Sequence, residues 1–344
     1  MEISKEIKCV IWDLDNTLWD GILLESGEVK LKPGIREILA TLDSRGILHS
    51  IASKNSYEDA MAKLKEFGLD EYFLYPEINW NAKSVSIENI RRNLNLAADT
   101  FLFIDDQPFE RDEVKAAHSG VECIDAAEYL NLLNRSRLNP AFITEDSGRR
   151  RKMYQTDIYR RQMEDSFTGT PEEFLASLDM CFTISRATEE DLKRAEELTV
   201  RTHQLNTTGI TYDYDELFAL CHSTQHLFLV AELTDKYGSY GKIGIAVVEI
   251  SAEYWHLKLL LMSCRVLSRG VGSVMLSHIM QEAGKNTGKL LADFRKTERN
   301  RMMFVTYKFA NFKTVSEAED GYILFENDLS QITPFPPYLR IQIK

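Results

Sequence analysis

The chain has 344 residues, 44% of them hydrophobic and 27% charged, with a formal net charge of −12. At roughly 100–200 residues per domain this length points to two domains, each able to bury a core without staples. So acidic a chain lacks the basic face that phosphate neutralisation requires, which argues against general nucleic-acid binding.

Residues 7–14 (IKCVIWDL) form an apolar run ending in acid and read as a buried strand. Helical spacing follows over 34–45, a second strand over 48–53 (LHSIAS), and a helix over 57–68. The series continues with a helix at 84–95, a strand at 100–105 (TFLFID), a helix at 111–119 and a strand at 121–126. Strands alternating with helices predict a parallel sheet covered on both faces, with ligands beyond the carboxyl ends of its strands. Residues 136–180 are helical, charged and without β runs, and read as a connector. From 181 the pattern restarts: strand FTISRA, helix EEDLKRAEELTVRT, strands HLFLVAEL and IGIAVVEIS, a longer strand WHLKLLLMSCR, then a turn and helix from Arg269. Strand KLLADFR and helix NRMMFVTYKFANF complete it. The expected domains are therefore 1–135, a connector 136–180, and 181–344.

The five cysteines, Cys9, Cys123, Cys181, Cys221 and Cys264, are scattered and show no CxxC spacing. Neither a disulfide framework nor a zinc site is implied. The residues after Met1, EISKEIK, do not read as a signal peptide, and no apolar run approaches the ~18 residues of a membrane span. No membrane partner and a reducing cytoplasmic setting are the expectations.

Asp13-Leu14-Asp15-Asn16-Thr17 follows directly on the first apolar strand. Two carboxylates two residues apart at a strand end can converge on one metal and one phosphate. Asp13 is placed to attack phosphorus, and Asp15 to protonate the leaving oxygen and then activate water. A lone pair of this kind is more often a solvated turn, but the surroundings reverse that. Ser53 ends the second strand, where its hydroxyl can hold a phosphate oxygen, and Asn55 follows it as a further phosphate-binding candidate. Lys83 precedes a helix and can offset the charge gathered at the phosphate. Asp105 and Asp106 end the third strand with hard oxygens suited to Mg2+.

Residues 9–106 resemble the haloacid dehalogenase superfamily on these four motifs. The resemblance implies Mg2+ held by Asp13, Asp15 or its neighbouring backbone, and the pair Asp105 and Asp106. Only 16–33 separates the first strand from its helix, and 54–82 holds one helix and a loop, so the domain is expected to be capless.

The C-terminal half resembles an N-acetyltransferase-like fold on Ser268-Arg269-Gly270-Val271-Gly272, where glycines opening a helix let backbone N–H groups approach a pyrophosphate. Leu267 stands where those enzymes favour Gln or Arg, and the turn alone is equally a tight strand–helix connection. Cys264 ends the preceding strand, flanked by Arg265 and Arg269. Near a helix N-terminus its thiol is expected to be acidified and nucleophilic, against the alternative of a small buried hydrophobe. His256 lies eight residues up the strand, roughly 26 Å away, too far to be its base. His203, in the polar loop THQLNTTG with Gln204 and Asn206, is the better candidate, against a turn cluster.

WDLDNTLWDG, INWNAKSVSIENI, FIDDQPFERDEV, TEDSGRRRKMY, THQLNTTG and LMSCRVLSRGVG together span both halves and the connector. On them the chain resembles the FkbH-like glyceryl transferase/phosphatases of polyketide pathways; Asp20 and Ser268 depart from the glycines expected there. The resemblance implies that the acyl phosphate of 1,3-bisphosphoglycerate is captured as a glyceryl thioester on an enzyme cysteine. It further implies loss of phosphate and transfer of the glyceryl group to the phosphopantetheine thiol of an acyl carrier protein. Arg149, Arg150, Arg151, Lys152, Arg160 and Arg161 are the expected basic face for that carrier. A plain Mg2+-dependent phosphatase with a structural C-terminal domain, and an acetyltransferase fused to a degenerate phosphatase, are the rival readings.

Overall fold

The computed structural model describes residues 5–26, 28–267 and 269–344; Ser268 lies outside the described residues. By contacts the chain divides into two units, Met1–Gln155 and Thr156–Lys344.

The first unit begins with β1 (Cys9–Trp12), a flap of β2 (Trp19–Asp20), α1 (Leu23–Ser26) and β3 (Lys30–Leu31), then α2 (Ile35–Ser44). It continues through β4 (Leu48–Ser53), α3 (Tyr57–Glu66), β5 (Glu77–Ile78), α4 (Lys83–Leu94), β6 (Phe101–Asp105), α5 (Pro108–Ala117) and β7 (Glu122–Asp125). The five-stranded sheet runs β5-β4-β1-β6-β7 with every pairing parallel. β1, β4 and β6 are buried along their whole length, as a sheet covered on both faces demands. The expected helix at 111–119 instead starts at Pro108, whose fixed φ and missing N–H suit the first helical position. Between β1 and α2 stands only the small flap, so no large cap is inserted there.

α6 (Glu145–Asp165) crosses the division between the units. Its first half packs on the first unit: Arg150 Nη1 donates to Gly46 O at 2.8 Å and Arg151 pairs with Asp43 at 3.0 Å. Its second half belongs to the second unit, where buried Arg160 forks onto Asp235 at 2.7 and 2.8 Å and stacks over Tyr240. The basic face expected at 149–161 is therefore not presented as one surface. Spacing alone put Arg160 on it, but its guanidinium is buried in ion pairs, and Arg150 and Arg151 are turned to backbone and carboxylate partners.

The second unit adds α7 (Pro171–Ser177), β8 (Met180–Arg186), α8 (Glu189–Arg201), α9 (Tyr214–His222), β9 (His226–Asp235), β10 (Gly238–Ile250) and β11 (Trp255–Met262). Then come α10 (Val271–Asn286), β12 (Leu290–Arg295), α11 (Arg301–Phe309), β13 (Lys313–Glu317), β14 (Tyr322–Asn327) and β15 (Leu339–Ile343). Its eight strands run β13-β14-β12-β11-β10-β9-β8-β15, parallel only at β11–β12 and β8–β15. Two apolar clusters fill its core; one includes residues of α10 and α11, the other residues of α8 and α9. Sequence reading missed α9, β13, β14 and β15. α9 carries a capping box, Asp213 with Glu216, and β14 alternates in burial, so both had a local signal.

His49, on β4, shows how the first core tolerates a polar ring. The Trp12 indole N–H donates to Nδ1 at 3.2 Å, so Nε2 carries the proton toward Leu39 O at 3.3 Å. Burial pushes the imidazole down to about 3, against the pull of the Leu39 bond. The unfolded chain takes up this proton below about 6.5, so the contribution is complete above that pH and is lost as pH falls toward 3. The loss should be on the order of 1 kcal/mol per pH unit. His49→Gln, which keeps one donor and one acceptor, should flatten that acid dependence in urea midpoints followed by tryptophan fluorescence. An unchanged pH slope would remove His49 from this role.

Candidate active site

Parallel pairing brings the carboxyl ends of β1, β4 and β6 together, and the site is built there. Asp13 follows β1 with its backbone N–H donating to Ile104 O at 2.9 Å. Asp105 ends β6, fully buried, with Oδ1 accepting from the Gln107 N–H at 2.7 Å. Asp106 is next in line, its N–H donating to the Thr17 hydroxyl at 3.2 Å. One carboxylate oxygen from each of Asp13, Asp105 and Asp106 lies within 4.8 Å of the others.

Lys83, the first residue of α4, reaches into this cluster and is only 2% exposed. Its ammonium donates to Asp13 Oδ1 at 2.5 Å, Ala52 O at 2.7 Å and Asp105 Oδ2 at 3.0 Å. Glu110, in the first turn of α5, stands 3.1 Å from the same nitrogen and pairs with Lys54 at 2.8 Å. Burial works against the charged lysine, but Asp13, Asp105 and Glu110 outweigh it and hold the ammonium above its ordinary range. Burial, and then repulsion from Asp13, push Asp105 up to about 7 against the pull of Lys83. Asp106 is raised for the same first two reasons.

Asp15 was expected as a fourth metal ligand, and its side chain is not in the three-carboxylate group. Oδ1 accepts from the Trp19 indole at 2.7 Å and the Leu23 N–H at 3.1 Å, both on the flap, while Oδ2 accepts from Asn55 at 3.0 Å. Burial raises the Asp15 carboxyl above its usual range, opposed by those flap donors. A carboxyl held apart from the metal group and raised in this way is suited to give and take a proton. Asn55, expected to bind phosphate, also has its carbonyl oxygen on the Ser56 N–H at 2.9 Å; it positions Asp15. Ser53 ends β4 where expected, buried beside Ala52. Sequence reasoning missed Glu110, Thr17 and Trp19. The last two lie inside the quoted WDLDNTLWDG, but nothing local says where their side chains turn.

In the second unit, Cys264 opens a short turn after β11 and is partly buried. Arg269 is buried, directed to Glu164 at 3.3 Å and over the Phe174 ring, and Arg265 lies in the field of Asp157. The expected basic flank of the thiol is thus engaged with acids of α6. β11 and β12 pair only over Trp255–Leu257 and Leu290–Ala292. Beyond that, Leu205–Thr207 lies between them: Thr207 N–H donates to Leu260 O, Met262 N–H to Leu205 O, and Arg295 N–H to Thr207 O. Asn206, expected to bind substrate, is buried with its side-chain oxygen on the Thr208 and Gly209 N–H groups, which is the turn-cluster role. His203 and Gln204 precede this segment, some 60 residues before Cys264 in the chain. His256 is instead tied to Asp293 at 2.5 Å, with Tyr322 and Lys258 on the same carboxylate, joining β11, β12 and β14.

Residues 21–126 match the haloacid dehalogenase-like hydrolase family, and the first unit is a hydrolase domain of that type. The match begins after Asp13, so the first motif rests on its own geometry. The N-terminal part of a Bacteroides fragilis protein containing a phosphatase domain, complexed with Mg, is 29% identical, at a TM-score of 0.33. That match spans 42% of this chain and 42% of the other, less than half of either. The ribosomal-protein-S18-alanine N-acetyltransferase from Escherichia coli is 17% identical over 44% of this chain and 96% of its own, at a TM-score of 0.35. A putative acetyltransferase from Salmonella typhimurium, with its cofactor acetyl-CoA, is 15% identical over 45% and 98%, at a TM-score of 0.34. No curated protein matches the chain.

The donor set fits Mg2+: three hard carboxylates converge, and the one charge of buried Lys83 leaves theirs under-compensated. Because burial raises Asp105 toward neutrality and a carboxyl must be ionised to act as a ligand, Mg2+ binding near neutral pH should release protons. Calorimetric titration of Mg2+ in buffers of different ionisation enthalpy measures this directly, and Asp105→Asn should abolish the release. Binding heats independent of buffer would show that Asp105 is already ionised.

Proposed function

We propose that the chain transfers a glyceryl unit from 1,3-bisphosphoglycerate to the phosphopantetheine thiol of an acyl carrier protein and removes phosphate, the first unit acting as phosphatase and the second as acyl carrier. The observation that carries the phosphatase half is the cluster of Asp13, Asp105 and Asp106 around buried Lys83. Asp13 Oδ attacks phosphorus to give an aspartyl phosphate, while Asp15 gives its proton to the leaving oxygen and then takes one from the attacking water. Lys83 holds Asp13 in place and offsets charge; Thr17 and Trp19 fix Asp106 and Asp15. Bound Mg2+ would neutralise phosphate charge at Asp13, Asp105 and Asp106.

The acyl-transfer half rests on the resemblance of the motifs in both halves and on Cys264, which opens the turn after β11 and is partly buried. In this reading the Cys264 thiolate attacks the acyl phosphate, phosphate leaves, and the carrier thiol displaces the cysteine. The plain phosphatase reading draws on one observation: Asn206 and Thr207 of the polar loop are consumed in holding the sheet.

Intact-mass spectrometry after incubation with 1,3-bisphosphoglycerate should show a glyceryl or phosphoglyceryl adduct that Cys264→Ala removes. An adduct persisting in that variant would place the acyl residue elsewhere, and no adduct in the native chain would favour the plain phosphatase. Asp13→Asn should lower phosphate release from a simple phosphate ester at least about a thousandfold with adduct formation on Cys264 retained, since an amide cannot form the aspartyl phosphate.

A further inference from the structure

Lys83 reaches the carboxylate cluster on a long, flexible side chain, so the place of its ammonium depends on what fixes the start of α4. That start has no cap of its own. The N-cap position is Ala82, whose methyl group cannot accept a hydrogen bond, and the first turn carries no acid. The first N–H groups of a helix have no partner within it, and a side-chain oxygen at the N-cap usually supplies one. Here the oxygen comes from a different helix. Glu113 of α5 accepts the Ser84 N–H on its two carboxylate oxygens, at 3.3 and 3.4 Å, and also accepts the Ser84 hydroxyl. His118, the C-cap of α5, takes the other side of the same residue, with Nε2 donating to Ser84 O at 2.9 Å. The N–H, hydroxyl and carbonyl of the residue directly after Lys83 are thus all engaged by α5 and its C-cap.

The same helix holds the other end of the lysine. Glu110 stands 3.1 Å from the Lys83 ammonium, three residues before Glu113 and so on the same face of α5. Between them, Arg111 Nη1 donates to Asp105 O at 2.7 Å, while its Nη2 pairs with Asp125 at 2.7 Å. The motif FERDEV acquires a physical reading from these contacts. Glu110 is at the head of Lys83, Glu113 is at its root, and Arg111 is on the strand end that bears Asp105. Stability of α4 alone would be served by Ser, Thr, Asp or Asn at position 82. Capping from α5 does something that local capping does not: it ties the backbone beside Lys83 to the element that carries Glu110, so root and head are fixed by one rigid helix.

We propose that Glu113 is a positioning residue for Lys83: with His118 it clamps Ser84, and through Ser84 it sets the lysine backbone so that the ammonium meets Asp13 and Asp105. This rests on the phosphatase reading of the first unit. Glu113 acts through Lys83 and not on the substrate. The charge that Lys83 offsets builds up around phosphorus in the transition state, so a misplaced ammonium costs turnover rather than substrate binding.

The test uses the full chain with Mg2+ and para-nitrophenyl phosphate. Glu113→Ala should lower kcat about tenfold while KM changes less than about twofold. Glu113→Gln, whose amide oxygen still accepts from Ser84, should recover most of the loss. A second readout needs no turnover. Lysines are acetylated with an N-hydroxysuccinimide ester and followed peptide by peptide by mass spectrometry. Lys83 should be protected in the native chain and labelled at least about fivefold faster in Glu113→Ala. Lys32 and Lys63, sheltered in ion pairs elsewhere in the unit, should label at their native rates. Equal acceleration at all three lysines would mean a loosened fold and would overturn the positioning role, as would unchanged Lys83 labelling or a Gln variant no better than Ala. The two readings fail separately. A native chain that releases no phosphate from the ester sinks the phosphatase reading, while labelling still decides whether Glu113 holds Lys83; full phosphate release with unchanged Lys83 labelling sinks the clamp alone.

Discussion

A single buried ammonium organises the first unit. Lys83 stands where three strand ends meet, and each of its contacts belongs to a different segment: Asp13 after β1, Ala52 on β4, Asp105 on β6 and Glu110 on α5. Removing a lysine from water is unfavourable unless carboxylates and hydrogen bonds replace the solvent, and here they do so several times over. The surplus of acid that keeps Lys83 charged also leaves the carboxylates short of positive charge. Burial, with repulsion from Asp13 added, raises Asp105 toward neutrality, and a divalent cation is the natural remedy. Structure and chemistry in this unit therefore depend on the same imbalance.

Asp15 illustrates how a neighbouring carboxyl is kept out of that imbalance. It is two residues from Asp13, yet the flap indole of Trp19, the Leu23 N–H and the Asn55 amide hold it away from the metal-type group. Two carboxylates two residues apart thus acquire different surroundings through different partners. The flap is short, and its donors act on Asp15 directly.

The second unit spends its polar residues differently. Arg160 is buried against Asp235 and Tyr240, and Arg269 against Glu164, so much of the basic charge that looked available for recognition holds α6 to the sheet. Leu205–Thr207 satisfies backbone groups of β11 and β12 where the two strands cease to pair. Unpaired strand groups in a core are expensive, which accounts for a polar segment being drawn into the sheet.

The parallel sheet of the first unit and the positions of Asp13, Ser53, Lys83 and Asp105 were legible in the sequence, because apolar runs ending in acid or hydroxyl mark strand ends and parallel topology gathers those ends. Elements with regular periodicity were legible for the same local reason; short strands such as β15 were not, since five residues paired at a sheet edge carry little signal of their own. What tertiary structure alone decided was the direction of each polar side chain. Asp15 and Asp106 are both acids near Asp13, but Asp15 turns to the flap and to Asn55, 40 residues on, while Asp106 joins the carboxylate group. The same holds for Glu110 on Lys83 and for Arg160, whose helical spacing suggests a surface while Asp235, 75 residues away, buries it. Periodicity reports which face of an element is apolar; charge pairing across the fold determines which polar groups remain for chemistry.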